Sequence, residues 1–70
     1  MKYKVDTDAI RNVYDGRMSQ EEFAFSIGTV PDTVSRWVTG RRQPSLPLLL
    51  RICDVYDMEL MELIKEVTDG

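Results

Sequence analysis

Apolar residues recur at helical spacing through nearly the whole chain. Only Tyr3-Lys4-Val5 alternates, so a short extended segment is expected over residues 2–5. A first helix should start near Thr7 or Asp8, with Asp6 or Thr7 as its N-cap. It sets Ile10, Val13 and Tyr14 on one face, and Gly16 ends it. Ser19-Gln20-Glu21-Glu22 fits a capping box, in which Ser19 bonds forward and Glu22 reaches back. The second helix that follows turns Phe23, Ala24 and Ile27 inward, with Met18 placed to staple onto Phe23, and Gly28 breaks it. A third begins at Pro31, a residue suited to the first helical position, directs Val34, Trp37 and Val38 inward and stops at Gly40. The loop Gly40–Pro44 leads to Ser45, the expected cap of a fourth helix that tolerates Pro47 in its first turn. Its buried stripe is predicted to be Leu46, Leu49, Leu50 and Cys53. A joint near Asp57 precedes a fifth helix carrying Leu60, Leu63, Ile64 and Val67 and fraying over residues 68–70. The pattern predicts an all-α fold, a single compact five-helix domain over residues 1–70 without repeat or linker.

Composition narrows the possibilities. A chain of 70 residues buries only about 60% of its unfolded surface, so its core is thin. No apolar run approaches the roughly 20 residues of a membrane span, and no apolar stretch follows Lys2 and Lys4 as a signal peptide requires. A lone cysteine without any histidine makes neither an internal disulfide nor a zinc site, and a cytoplasmic protein is expected. The absence of histidine also removes the commonest general base. With no P-loop and no dinucleotide glycine pattern, neither an enzyme nor a bound cofactor is expected.

The charge is uneven. Residues 1–51 hold eight Lys and Arg against six Asp and Glu, whereas residues 52–70 hold Lys65 against six acids, within a net charge of −3. The closest arginine cluster lies at Arg36–Arg42, so a polyanion should meet the middle of the chain.

That middle carries the informative motif. Residues 19–39 read as a helix, a glycine turn and a second helix: Ala24 is small enough for a close helix crossing, Gly28 permits positive φ, and Val34 and Trp37 lock the pair together. Such a helix-turn-helix can lay its second helix in a DNA major groove. Four pieces, Ser19–Ala24, Ile27-Gly28, Thr33–Trp37 and Gly40–Ser45, resemble in register the Cro/CI-type helix-turn-helix of the XRE family of phage and bacterial regulators. The likeness extends over roughly residues 8–64 and implies a lambda-repressor-like fold binding double-stranded DNA.

The resemblance also implies roles. Gln20, with Ser19 and Arg17 beside it, falls where relatives touch a backbone phosphate, fixing register rather than reading sequence. The exposed face of the third helix offers Asp32, Thr33, Ser35 and Arg36 to the bases. Arg36 is the leading reader, since a guanidinium can bond O6 and N7 of guanine together. Asp32 can accept from a cytosine amino group, or simply complement the helix dipole as a first-turn acid. Thr39, Arg41, Arg42 and Gln43 fall where the family's loop follows the phosphates. Trp37 and Cys53 are read as core, and Arg11 and Arg51 as surface charges.

Several positions depart from the pattern. Where relatives carry an Arg and a Glu that pair, this chain has Val13 and Val38, predicted to touch; an apolar pair in place of a charged one is often neutral or stabilising. The cap of the third helix is Val30, with no hydroxyl, at a cost of about 1 kcal/mol that Pro31 partly offsets. Phe25, Leu48, Val55, Met58 and Met61 are apolar beyond what five helices need. A homodimer through residues 55–67, with Val55, Met58, Met61 and Ile64 at its interface, is expected on DNA. Two recognition helices would then sit about 34 Å apart on a near-palindromic operator. The leading expectation is a small, stand-alone, phage-like, Cro-like repressor. The alternative is a protein-interaction module on the same scaffold, an antitoxin or a repressor antagonist, engaging its partner through the last two helices.

Overall fold

The computed structural model describes residues 2–67. Strand β1 (Lys2–Val5) leads into helices α1 (Thr7–Tyr14), α2 (Gln20–Ser26), α3 (Pro31–Val38) and α4 (Leu46–Tyr56). A 3-10 turn over Leu60–Glu62 and strand β2 (Ile64–Val67) complete the described chain. None of these helices is long and apolar enough to cross a membrane.

Local chemistry explains the first three helices. Asp6 caps α1, its carboxylate accepting from the backbone N–H of Asp8 and Ala9 at 3.1 and 3.2 Å. The capping box of α2 is formed: the Glu22 N–H donates to Ser19 Oγ at 3.1 Å, and the Ser19 N–H donates to Glu22 Oε1 at 3.2 Å. Helix α3 opens on Pro31, and its N-cap Val30 supplies no side-chain bond, as expected.

Two glycines set the exits. At Gly28 (φ 77°) the N–H of Gly28 bonds the Phe25 carbonyl at 3.1 Å, and that of Thr29 bonds the Ala24 carbonyl at 2.9 Å. At Gly40 (φ 77°) the N–H of Gly40 bonds Trp37 at 3.1 Å, and that of Arg41 bonds Arg36 at 2.9 Å. Both are Schellman closures, which satisfy the orphan carbonyls of a helix end and need a left-handed residue. A Cβ on Gly28 would also run into the Arg51 guanidinium, which lies over the turn.

The core joins Ile10, Val13, Tyr14, Phe23, Ala24, Ile27, Val34, Trp37, Leu49, Ile52 and Leu63, and α3 packs on both α1 and α2. Val13 is buried in that core, and Val38 is half-buried. Met18 packs against the edge of the core. Phe23 stacks on Tyr14 with ring centroids 4.6 Å apart and meets Tyr56 at 5.6 Å, so one aromatic ring ties α1, α2 and α4 together.

Three expectations require correction, all after residue 44. First, the fold is not all-α and has no fifth helix. Asp57 adopts a left-handed conformation (φ 54°) that ends α4, and the 3-10 turn is the only further helical piece among the described residues. Ile64–Val67 then pairs antiparallel with β1, Lys2 opposite Val67 and Val5 opposite Ile64. Backbone pairing with an N-terminal segment some 60 residues away outweighs a short helix that would be marginal in water, and β-branched Ile64 and Val67 suit a strand. The Asp6 N–H fastens the junction to the Leu63 carbonyl at 2.8 Å.

Second, the buried face of α4 is turned. Leu49 and Ile52 are buried, with Leu48, Cys53 and Tyr56 at the core's edge, whereas Leu46 and Leu50 are 56% and 50% exposed. Cys53 is only half-buried, and burial, reinforced by the Glu62 carboxylate, pushes its thiol above the ordinary value. Third, Ser45 occupies the N-cap position of α4 but its hydroxyl makes no capping bond. The expected fraying of residues 68–70 lies outside the described residues.

Candidate nucleic-acid interface

The candidate surface is the exposed side of α3 with its two flanking loops. Asp32 and Arg36 project from α3, while Thr33 and Ser35 are half-buried on its shoulders. One turn apart, Asp32 and Arg36 form an ion pair, Arg36 Nη2 to Asp32 Oδ2 at 2.9 Å. The spacing of an acid four residues before an arginine was a readable signal for this pair, and sequence reasoning treated the two residues separately.

The backbone of Arg36 is equally constrained. Its carbonyl accepts from the N–H of Arg41 at 2.9 Å and of Arg42 at 3.2 Å. These bonds fold the loop over the end of α3 and bring Arg41, Arg42 and Gln43, all exposed, beside the exposed side of that helix. Thr39 is a weaker candidate, since its hydroxyl already donates to the Ser35 carbonyl at 2.8 Å.

At the other end of the face, Gln20 Nε2 donates to the Pro31 carbonyl at 3.3 Å. The side chain expected on a phosphate thus also joins the start of α2 to the start of α3. An amide nitrogen carries two hydrogens, so one remains for an anion. Ser19 Oγ accepts in the capping box and keeps its own hydrogen to donate. Arg17 is exposed but lines a different feature. It borders an open cavity of about 260 Å³ with Ala9, Asn12, Val13, Tyr56 and Met58, between α1 and the end of α4.

The structure therefore brings Gln20, Ser19, Asp32, Arg36 and the 41–43 loop around one helix. Arg51, expected as a surface charge, is exposed, and its guanidinium lies over the Gly28 turn, a placement that nothing in its local pattern signals.

Among the described residues no group of three or more His, Cys, Asp and Glu is arranged to hold a metal. The helix-turn-helix family matches the chain over residues 9–63, which takes in most of α1, all of α2 to α4 and the 3-10 turn. No curated protein and no solved structure matches it.

Proposed function

The chain belongs to the XRE-type helix-turn-helix family of DNA-binding transcription regulators, and from that we propose that it is a sequence-specific, Cro-like repressor reading its operator through α3. The observation that carries this reading is the exposed Arg36, fixed on the outer face of α3 beside the Arg41-Arg42 loop. Arg36 reads a guanine, with Asp32, Thr33 and Ser35 along the same groove. Ser19 and Gln20 grip a phosphate at one end of α3, and Arg41, Arg42 and Gln43 follow the backbone at the other. Thr39 and Arg17 contribute at the periphery.

A homodimer on a near-palindromic site completes the proposal. Val55 on α4 and Met61 on the 3-10 turn are 46% and 63% exposed, whereas Met58 is partly taken into the core and Ile64 is half-buried in β2. The outer edge of β2 reads Ile64-Lys65-Glu66-Val67. Two such edges paired antiparallel about a two-fold axis would set each Lys65 opposite a Glu66, a favourable cross-strand pair. Light scattering that finds only monomer at high micromolar concentration, with and without DNA, would remove the dimer.

The alternative protein-interaction module draws on the exposed Phe25, Leu46, Leu50, Val55 and Met61. Fluorescence anisotropy against the gene's own upstream DNA and a scrambled duplex, at low and physiological salt, separates the readings. Tight native-site binding that persists at physiological salt and is lost in Arg36→Ala supports the regulator. Weak binding to both duplexes, erased by salt, is what phosphate attraction alone gives, and it would shift the function to a protein partner.

A further inference from the structure

We infer that Asp32 is a positioning residue: it holds Arg36 in the conformation that reads guanine and, as a negative charge on the DNA-facing helix, lowers affinity for DNA of any other sequence. The inference rests on the base-reading role proposed for Arg36. The two arginines of the loop provide the contrast. Among the described residues Arg41 and Arg42 form no ion pair, and both are exposed, as suits side chains that sweep for a diffuse phosphate potential. Arg36 is held at both ends. Its carbonyl receives the N–H groups of Arg41 and Arg42, and its guanidinium is tied to Asp32 at 2.9 Å.

Stability does not account for the pair. With side chains 51% and 73% exposed, it contributes little to folding. Its consequence is orientation. An unpaired arginine forfeits rotamer freedom when it docks, and a guanidinium already held along α3 forfeits less. The carboxylate engages one of the five N–H donors, leaving four for the two that guanine O6 and N7 require. At the same time a carboxylate on this face repels every phosphate of a duplex. Removing the charge should therefore strengthen indiscriminate binding while weakening discrimination, a pair of opposite signs that a plain structural role does not produce, and the loss of discrimination should require Arg36, which separates positioning from a base contact by Asp32 itself.

The test uses the full chain and a duplex library carrying about sixteen randomised base pairs, followed by anisotropy on the selected duplex, its single-base variants and a mixed-sequence duplex. Wild type, Asp32→Asn, Arg36→Ala and the double variant are compared, each with a matching thermal melt. Wild type should select a site containing a guanine whose replacement weakens binding about 10-fold, and Arg36→Ala should abolish that preference. Asp32→Asn should bind the mixed-sequence duplex about 2- to 5-fold more tightly, as loss of one repulsive charge permits, while its preference for the guanine falls about 2-fold, as much as an exposed pair of this kind can supply. In the Arg36→Ala background the same change should leave the residual preferences untouched.

An Asp32→Asn protein that binds all duplexes more tightly at an unchanged preference overturns the inference, since Asp32 would then be only a repulsive charge. A preference altered equally in the presence and absence of Arg36 also overturns it, since Asp32 would be reading a base itself. Both leave the Arg36 reading standing. A wild type that selects nothing, with Arg36→Ala silent, overturns the proposed function and this inference together.

Discussion

Residues 7–40 and residues 45–67 fold by different rules. In the first region each helix begins and ends on signals within a few residues of itself. Asp6 and the Ser19–Glu22 box start α1 and α2, and Schellman turns at Gly28 and Gly40 stop α2 and α3. The buried set there, Ile10 to Trp37, follows the helical periodicity. In the second region the signals are distant or ambiguous. Helix α4 reads Leu46-Pro47-Leu48-Leu49-Leu50-Arg51-Ile52-Cys53, apolar on nearly every side, so the stripe its spacing suggests, Leu46, Leu49, Leu50 and Cys53, competes with a neighbouring apolar face, and the latter is the one buried. The segment after Asp57 takes its conformation from β1, at the opposite end of the chain. Local capping determines structure where a few backbone groups are satisfied nearby; elsewhere the partner decides.

The comparison is tested most severely within α4. Ile52→Ala should cost about 2–5 kcal/mol, against a net stability of only about 3–5 kcal/mol for a domain of this size. Much of that protein should be unfolded at 25 °C by circular dichroism. Leu50→Ala, two positions away and half-exposed, should change stability by no more than about 0.5 kcal/mol in urea titration. Equal losses at the two positions would return α4 to the face its sequence suggests.

Capping gives the next largest effects, with opposite signs on adjacent helices. Ser19→Ala removes a formed cap and should lower stability by about 1 kcal/mol. Val30→Ser supplies a missing one at the head of α3 and should raise stability by a similar amount, a rise of several degrees in Tm. If Ser19→Ala leaves the urea midpoint where it was, the N-terminal region does not owe its boundaries to local signals.

A smaller effect probes the strands. Lys4 faces Lys65 across the β1–β2 ladder. Lys65→Glu exchanges a like-charge pair for an opposite one and should add about 0.2–1 kcal/mol, diminishing in high salt. A fifth helix in place of β2 would show no such coupling to Lys4, so the same change made beside Lys4→Ala should lose most of its benefit.

The smallest effect concerns pH. Burial raises the Tyr14 phenol above its ordinary value; Arg11 opposes this and Asp15 adds to it. A raised pKa on an acid means that folding favours the protonated form. The contribution is complete below the unfolded tyrosine value of about 10 and is lost as pH climbs through the folded one. Urea midpoints measured from pH 9 to 11 should fall more steeply for wild type than for Tyr14→Phe. Parallel curves would mean that Tyr14 is not desolvated in the α1–α2 packing.

The candidate interface divides along the same line. Arg36, Gln20 and the Arg41-Arg42 loop could be nominated from the motif, because a helix, a glycine turn and a second helix imply which face is left outward. What the motif did not convey is how those side chains are already engaged: Gln20 on the Pro31 carbonyl, Thr39 on Ser35, Arg36 on Asp32. By itself the sequence determined the first three helices, their caps and turns and their inner residues, since short-range hydrogen bonds and a clear 3.6-residue period specify them. Only the tertiary structure decided which side of α4 is buried, that Arg51 lies over the Gly28 turn, and that Ile64–Val67 is a strand. Each of those depends on contacts between residues far apart in the chain, where local preference is weak and the packing of the whole core selects the outcome.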